Sequence, residues 1–170
     1  MNGIQFVLCD KQEDLALAAT LVDSRDDNAH PLDHESFFHS RAVILAKTIE
    51  GDIVGCAAIK AGSGILGELG YLVVSPGYRR QGIAQGLTLK RIEVAKSLGI
   101  AMLFATIRAE NTSSRANLLK AGFQFWRDYL SIRGTGNTVG WYYLSLKEHV
   151  DVEIVMQSLV GDRVPVVHTN

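Results

Sequence analysis

Residue types and spacing point most directly to chemistry in Leu72-Val73-Val74-Ser75-Pro76-Gly77-Tyr78-Arg79-Arg80-Gln81-Gly82-Ile83-Ala84. An apolar strand there runs into a Pro-Gly turn, then a basic loop containing glycine, then the start of a long helix. The first turn of a helix presents backbone N–H groups with no intrahelical acceptor, and the macrodipole adds about half a positive charge. Gly82 lets a ligand approach the backbone closely, and Arg79 and Arg80 supply countercharge. The guest such a site suits is a phosphate, above all the pyrophosphate of a nucleotide-like cofactor. An ordinary strand-to-helix turn with two solvated arginines satisfies the same local chemistry, so the loop alone does not decide.

The elements that must hold this loop follow from periodicity. Residues 4–9 read as a strand, 13–22 as a helix, and 33–40 as a short helix after a polar loop containing Pro31. Residues 42–49 and 53–61 are apolar strands around Glu50-Gly51-Asp52, whose residue types favour a hairpin turn. A fourth strand covers 68–74 and a long helix 83–98, with Ile83, Ala84, Leu87, Val94, Ala95 and Leu98 at helical spacing. Gln85, Lys90, Arg91, Glu93 and Lys96 are assigned to its water-facing side, and Gly99 stops it. A fifth strand at 101–107 leads to a helix capped by Asn111, and strands at 123–132 and 139–146 flank a glycine-rich turn. Strands alternating with helices and ending in a hairpin imply an α/β or α+β sheet of mixed direction.

Arg79-x-x-Gly82-x-Ala84 resembles the Q/R-x-x-G-x-G/A signature of the GNAT superfamily of acyl-CoA N-acyltransferases. Its companions are in order: 72–76 looks like the family's fourth strand with its h-x-V-x-P ending. Asn111-Thr112-Ser113-Ser114, after the fifth strand, opens a helix closing on Gly122-Phe123, like the family's second motif. The resemblance implies a mixed, mostly antiparallel sheet flanked by helices, its fourth and fifth strands splayed around the pantetheine of acetyl-CoA. Main-chain groups of Leu72, Val73 and Val74 would then hold the pantetheine arm. The loop of Arg79, Arg80, Gln81, Gly82, Ile83, Ala84 and Gln85 would cradle the pyrophosphate. Asn111 would contact the cofactor or only cap its helix. On this reading residues 1–150 form the acetyltransferase domain. Residues 151–170 form an extension, accounted for equally by packing on that domain or by a homodimer contact.

Acyl transfer to an amine requires the acceptor to shed a proton, since a lysine-like ammonium titrates near ~10.4. Glu68 is the candidate base: it lies eleven positions before Arg79, a spacing that resembles the catalytic glutamate of the histone acetyltransferase branch. Alternation along the strand puts it on one face with Gly70, Leu72 and Val74. A strand-end glutamate in water or in a salt bridge is the competing account. The family's usual acid is a Tyr seven positions after the motif Asn; here that position is Leu118. Either Ser114, Tyr129 or Tyr142 substitutes, or the thiolate departs unprotonated. A protein that binds acyl-CoA without turnover is the alternative this departure opens.

Composition narrows the remaining classes. Of 170 residues 47% are hydrophobic, and the net charge of −1 argues against a general nucleic-acid partner. No apolar run approaches the ~20 residues of a membrane helix, and Met1 to Asp10 lacks signal-peptide character. Cys9 and Cys56, without metal-like spacing, read as buried thiols in a reducing cytoplasm. Residues 1–40 carry eight acidic against two basic side chains; residues 79–127 carry nine basic against two acidic. The basic middle suits a phosphate-rich cofactor, and the acidic front suits a small-molecule or peptide amine, or is only a solvated face. Gly62-Ser63-Gly64-Ile65-Leu66-Gly67 matches a dinucleotide fingerprint, but a strand follows it instead of a helix. No metal is expected: His34-Glu35-Ser36-Phe37-Phe38-His39 is one residue too long for H-E-x-x-H, and Pro31 separates His30 from His34.

Overall fold

The computed structural model describes residues 3–25 and 34–168. In chain order the elements are β1 (Gln5–Leu8), α1 (Gln12–Asp23), α2 (His34–Phe38), β2 (Ala42–Lys47), β3 (Ile53–Ile59) and β4 (Leu66–Val74). A 3-10 turn (Pro76–Tyr78) leads to α3 (Ile83–Ser97), β5 (Met102–Arg108), α4 (Thr112–Lys120), β6 (Gln124–Leu130), β7 (Thr138–Ser145) and α5 (Val152–Val160). The strands form one sheet in the order β1-β2-β3-β4-β5-β7-β6. Neighbours run antiparallel except β4 and β5, which are parallel across the α3 crossover.

Local chemistry explains the joints. Gly51 takes φ 93°, and Thr48 N–H donates to Asp52 C=O, closing the β2–β3 hairpin. The glycine-rich 62–67 stretch joins two antiparallel strands, with Gly67 inside β4. A Cβ at Gly67 would lie 3.0 Å from Leu103 Cδ2, so this glycine serves sheet packing.

Helices cover both faces, which is why β2 and β3 are continuous apolar runs. Ala18, Ala19, Val22 and Phe37 of α1 and α2 pack on Val43, Leu45, Cys56, Ala58 and Val73. On the opposite face Ile83, Leu87, Val94 and Ala95 of α3, with Leu118 of α4, pack on Ile44, Ala57, Ile59, Leu69 and Leu103.

A third cluster joins Met156 and Val160 of α5 to Met102, Phe104, Tyr129 and Trp141. Asp151 caps α5 by accepting from Ile154 N–H, and α5 is a helix beyond the elements expected from periodicity. Leu130 N–H donates to Val164 C=O and Val166 N–H to Asp128 C=O, so the tail covers the β6 edge. Met156 is fully buried, so Met156→Ala should lower unfolding free energy by ~2–5 kcal/mol in urea denaturation. A change within ~0.5 kcal/mol, the range of surface substitutions, would show α5 is not part of the core.

Candidate active site in the β4–β5 cleft

β4 and β5 remain paired only at Leu66–Met102, Gly67–Leu103 and Glu68–Phe104. Beyond that point β4 continues against β3, and β5 against β7. The edge of β4 facing the gap therefore has no strand partner from Leu69 onward. A cleft of about 640 Å³ opens there, within the ~300–1,000 Å³ of small-molecule sites.

β4 also carries a bulge. Ala58 faces Gly70 and Cys56 faces Val73, so β4 spends one extra residue, and Tyr71 takes φ 58°. A positive φ at an aromatic residue is a strained position, and Tyr71 is braced edge-on against Phe37 at 5.1 Å. The extra residue reverses the alternation beyond it. Leu72 and Val74 face the α3 side, whereas Tyr71 and Val73 face the α1–α2 side. Glu68 belongs with Tyr71 and Val73, so the expected shared face with Leu72 and Val74 does not form. Lys60 Nζ donates to Glu68 Oε2 at 3.3 Å and lies 5.5 Å from the Tyr71 ring centre. Glu68 is thus both salt-bridged and in the cleft wall.

The loop beyond β4 has the backbone an anion requires. Arg80 and Gly82 take φ 63° and 80°, and the first helical bond runs from Gly86 N–H to Gly82 C=O. N–H groups of Ile83, Ala84 and Gln85 therefore lack helical acceptors, and no side chain caps α3. Arg79, Arg80, Gln81 and Gly82 are exposed, while Ile83 is buried and anchors the turn. Arg79 Nε donates to Val74 C=O at 3.1 Å, tying the loop to the end of β4. Asn111 Oδ1 accepts from Ser114 N–H at 3.3 Å, so its amide oxygen caps α4.

Arg91 corrects the helix reading: it is 2% exposed instead of facing water. It lies four residues after Leu87 and three before Val94, on the apolar stripe itself, and that spacing is the signal the sequence held. Its Nη1 donates to Ala58 C=O at 3.3 Å and Gly70 C=O at 3.5 Å, carbonyls flanking the bulge. Nη2 donates to Thr88 Oγ1 at 2.9 Å, and Asn117 Nδ2 donates to the same oxygen at 2.8 Å. Burial lowers the Arg91 pKa to about 9, so it stays protonated at neutral pH. Residue type at Thr88, Asn117 and Lys60 gave no separate warning.

Leu118 is buried and lines the cleft. Of the substitute acids, Ser114 lines it too, whereas Tyr129 and Tyr142 are buried away from it, and burial raises the Tyr142 pKa. The charged lining is Arg25, Lys60, Glu68, Arg91, Arg108, Arg133 and Arg163, with one carboxylate among the described residues. The acidic front does not form this wall there: Asp14 pairs with Lys47 and Asp23 with His34. Asp26, Asp27, His30 and Asp33 lie outside the described residues. His39 Nδ1 bonds Glu35 C=O, and no metal-like group of three or more ligating residues occurs among the described residues.

The acetyltransferase (GNAT) family model matches residues 12–123. The chain belongs to that family and is an acyltransferase. No match is found among curated proteins. The fold resembles the yncA protein of Salmonella typhimurium, solved with its cofactor acetyl-CoA: TM-score 0.72, 16% identity, 88% of this chain and 97% of that one. It also resembles spermidine N-acetyltransferase of Vibrio cholerae in complex with CoA and spermine: TM-score 0.69, 13% identity, 85% and 96% covered. Ribosomal-protein-S18-alanine N-acetyltransferase of Escherichia coli aligns with TM-score 0.67 at 18% identity, covering 87% and 97%. No helix among the described residues is long and apolar enough to cross a membrane.

Cys56, on β3 under α1, is fully buried with Sγ 3.9 Å from Tyr71 C=O. Burial pushes its pKa up to about 12, so it is no nucleophile near neutrality. Iodoacetamide at pH 8 should leave Cys56 unmodified in the native protein and alkylate it after unfolding, as peptide mass mapping will read. Native labelling of Cys56 would contradict the packing of β3.

Proposed function

We propose that the protein transfers an acetyl group from acetyl-CoA to a primary amine by direct attack within a ternary complex. One observation carries this: the unpaired β4 edge ends at an uncapped helix N-terminus behind two left-handed residues. A ladder of amides followed by a cluster of convergent N–H groups suits an arm bearing amides and then a pyrophosphate. Leu72, Val73 and Val74 would offer main-chain groups to the pantetheine; Arg80 to Gln85 would take the pyrophosphate. Arg79 holds that loop against Val74, and Asn111 fixes the start of α4 beside the cofactor. The bound coenzyme supplies an activated thioester.

Glu68 is the proposed base, acting on the acceptor ammonium itself or through water, with Lys60 fixing its carboxylate. The amine reading is supported by the two similar N-acetyltransferases, named for spermidine and for a protein alanine. Cys56 is a buried thiol, which favours direct transfer over an acyl-cysteine intermediate. We infer a cytoplasmic site of action, in keeping with the two free cysteines.

Calorimetry with acetyl-CoA and with CoA tests the coenzyme site: binding of both is expected, and absence of heat with either would end the proposal. Glu68→Gln should lower kcat by ~10²-fold at neutral pH with coenzyme affinity within ~2-fold of the parent. Unchanged turnover would remove Glu68 from the mechanism.

A further inference from the structure

We propose that Arg91 is a buried countercharge that lets the coenzyme sulfur leave as an unprotonated thiolate, acting with Thr88 and Asn117. This rests on the coenzyme reading above and concerns the step for which Leu118 offers no proton. In that step the acceptor nitrogen bonds to the acyl carbon, the carbon–sulfur bond breaks, and its electron pair departs on sulfur. The proton shed by nitrogen goes to Glu68 or to water, so the sulfur needs stabilisation of negative charge and not a proton of its own.

Three observations converge on Arg91. It is 2% exposed yet contributes to the cleft lining, together with Asn117 and Leu118. Its partners are neutral: two backbone carbonyls and a hydroxyl, with no carboxylate among the described residues. A buried cation without a counterion is costly, and an incoming anion relieves that cost. Two atoms of the network are also left over, since Arg91 Nε and Asn117 Oδ1 are buried without hydrogen-bond partners. Thr88 Oγ1 already receives hydrogen bonds from both neighbours. With the Asn117 amide turned, Oδ1 would accept a hydrogen bond from the Thr88 hydroxyl and the two Nδ2 N–H donors would be released for the ligand.

Other titratable groups surround the same space. The Cys56 thiol lies on the opposite, α1–α2 face of β3; Lys60 and Glu68 are paired at the cleft wall, and Arg25 lines it from beyond α1. A cationic surplus is therefore shared, and the experiment must separate Arg91 from Lys60.

The thiol of bound CoA can be titrated by thiolate ultraviolet absorbance, without any acceptor amine. With wild-type protein saturated in CoA, the thiol should titrate at least ~1 pH unit below free coenzyme, itself near the ~8.5 of an ordinary thiol. Arg91→Met should return it to the free value, Arg91→Lys should keep most of the shift, and Lys60→Met should leave the shift in place. A wild-type complex titrating at or above free CoA overturns the proposal. So does a shift that survives Arg91→Met, or one abolished by Lys60→Met, which decides the matter even where Arg91→Met does not fold. Failure of wild type to bind CoA at all would instead sink the coenzyme reading, and this proposal with it.

Discussion

β4 pairs with β5 over Leu66–Glu68 and with β3 over Leu69–Val74, and the rest of the site depends on that exchange of partners. A backbone edge without a strand partner must find other hydrogen bonds or stay in water. By parting from β5 after Glu68, β4 keeps its main chain available over the stretch that leads to the α3 loop. α3 is the crossover between them, with Ile83 and Leu87 in the core on one face of the sheet, while β5 stays paired with β7 from Met102 to Arg108.

The bulge at Tyr71 and the buried Arg91 belong to the same solution. An extra residue breaks the β3–β4 ladder and leaves carbonyls of Ala58 and Gly70 near a guanidinium that donates to both. Strain at Tyr71 is held in place by Phe37 on one side and by Lys60 over the ring. A buried charge is a poor way to gain stability, since desolvation takes back several kcal/mol per ion. Its presence at the floor of the cleft accords with a role in charge placement.

Chemistry and fold were legible to different depths. The Arg79-to-Ala84 loop, the Asn111 cap and the alternation of strands with helices are local signals, and local signals survive in one dimension. Arg91 departs from the water-facing side its charge suggests because helical position outweighs charge type: at four residues past Leu87 it shares the buried stripe. Leu72 and Val74 part from the face of Glu68 because a bulge costs one residue of register, and nothing in the residue types of 68–74 announces it. Lys60 meets Glu68 across the β3–β4 connection and Asn117 meets Thr88 from 29 residues away, and only folding puts each pair in contact.

By itself the sequence determined the order of elements as far as β7, the turn chemistry and the basic, glycine-bearing loop that opens α3, because backbone propensity and spacing act over a few residues. Tertiary structure alone decided where β4 and β5 separate, which face Glu68 takes, and that a cation lies beneath the cleft. It also decided that 152–160 is a helix closing a third core against Met102 and Trp141. Those outcomes rest on pairing and burial between segments far apart in the chain, where packing outweighs local preference.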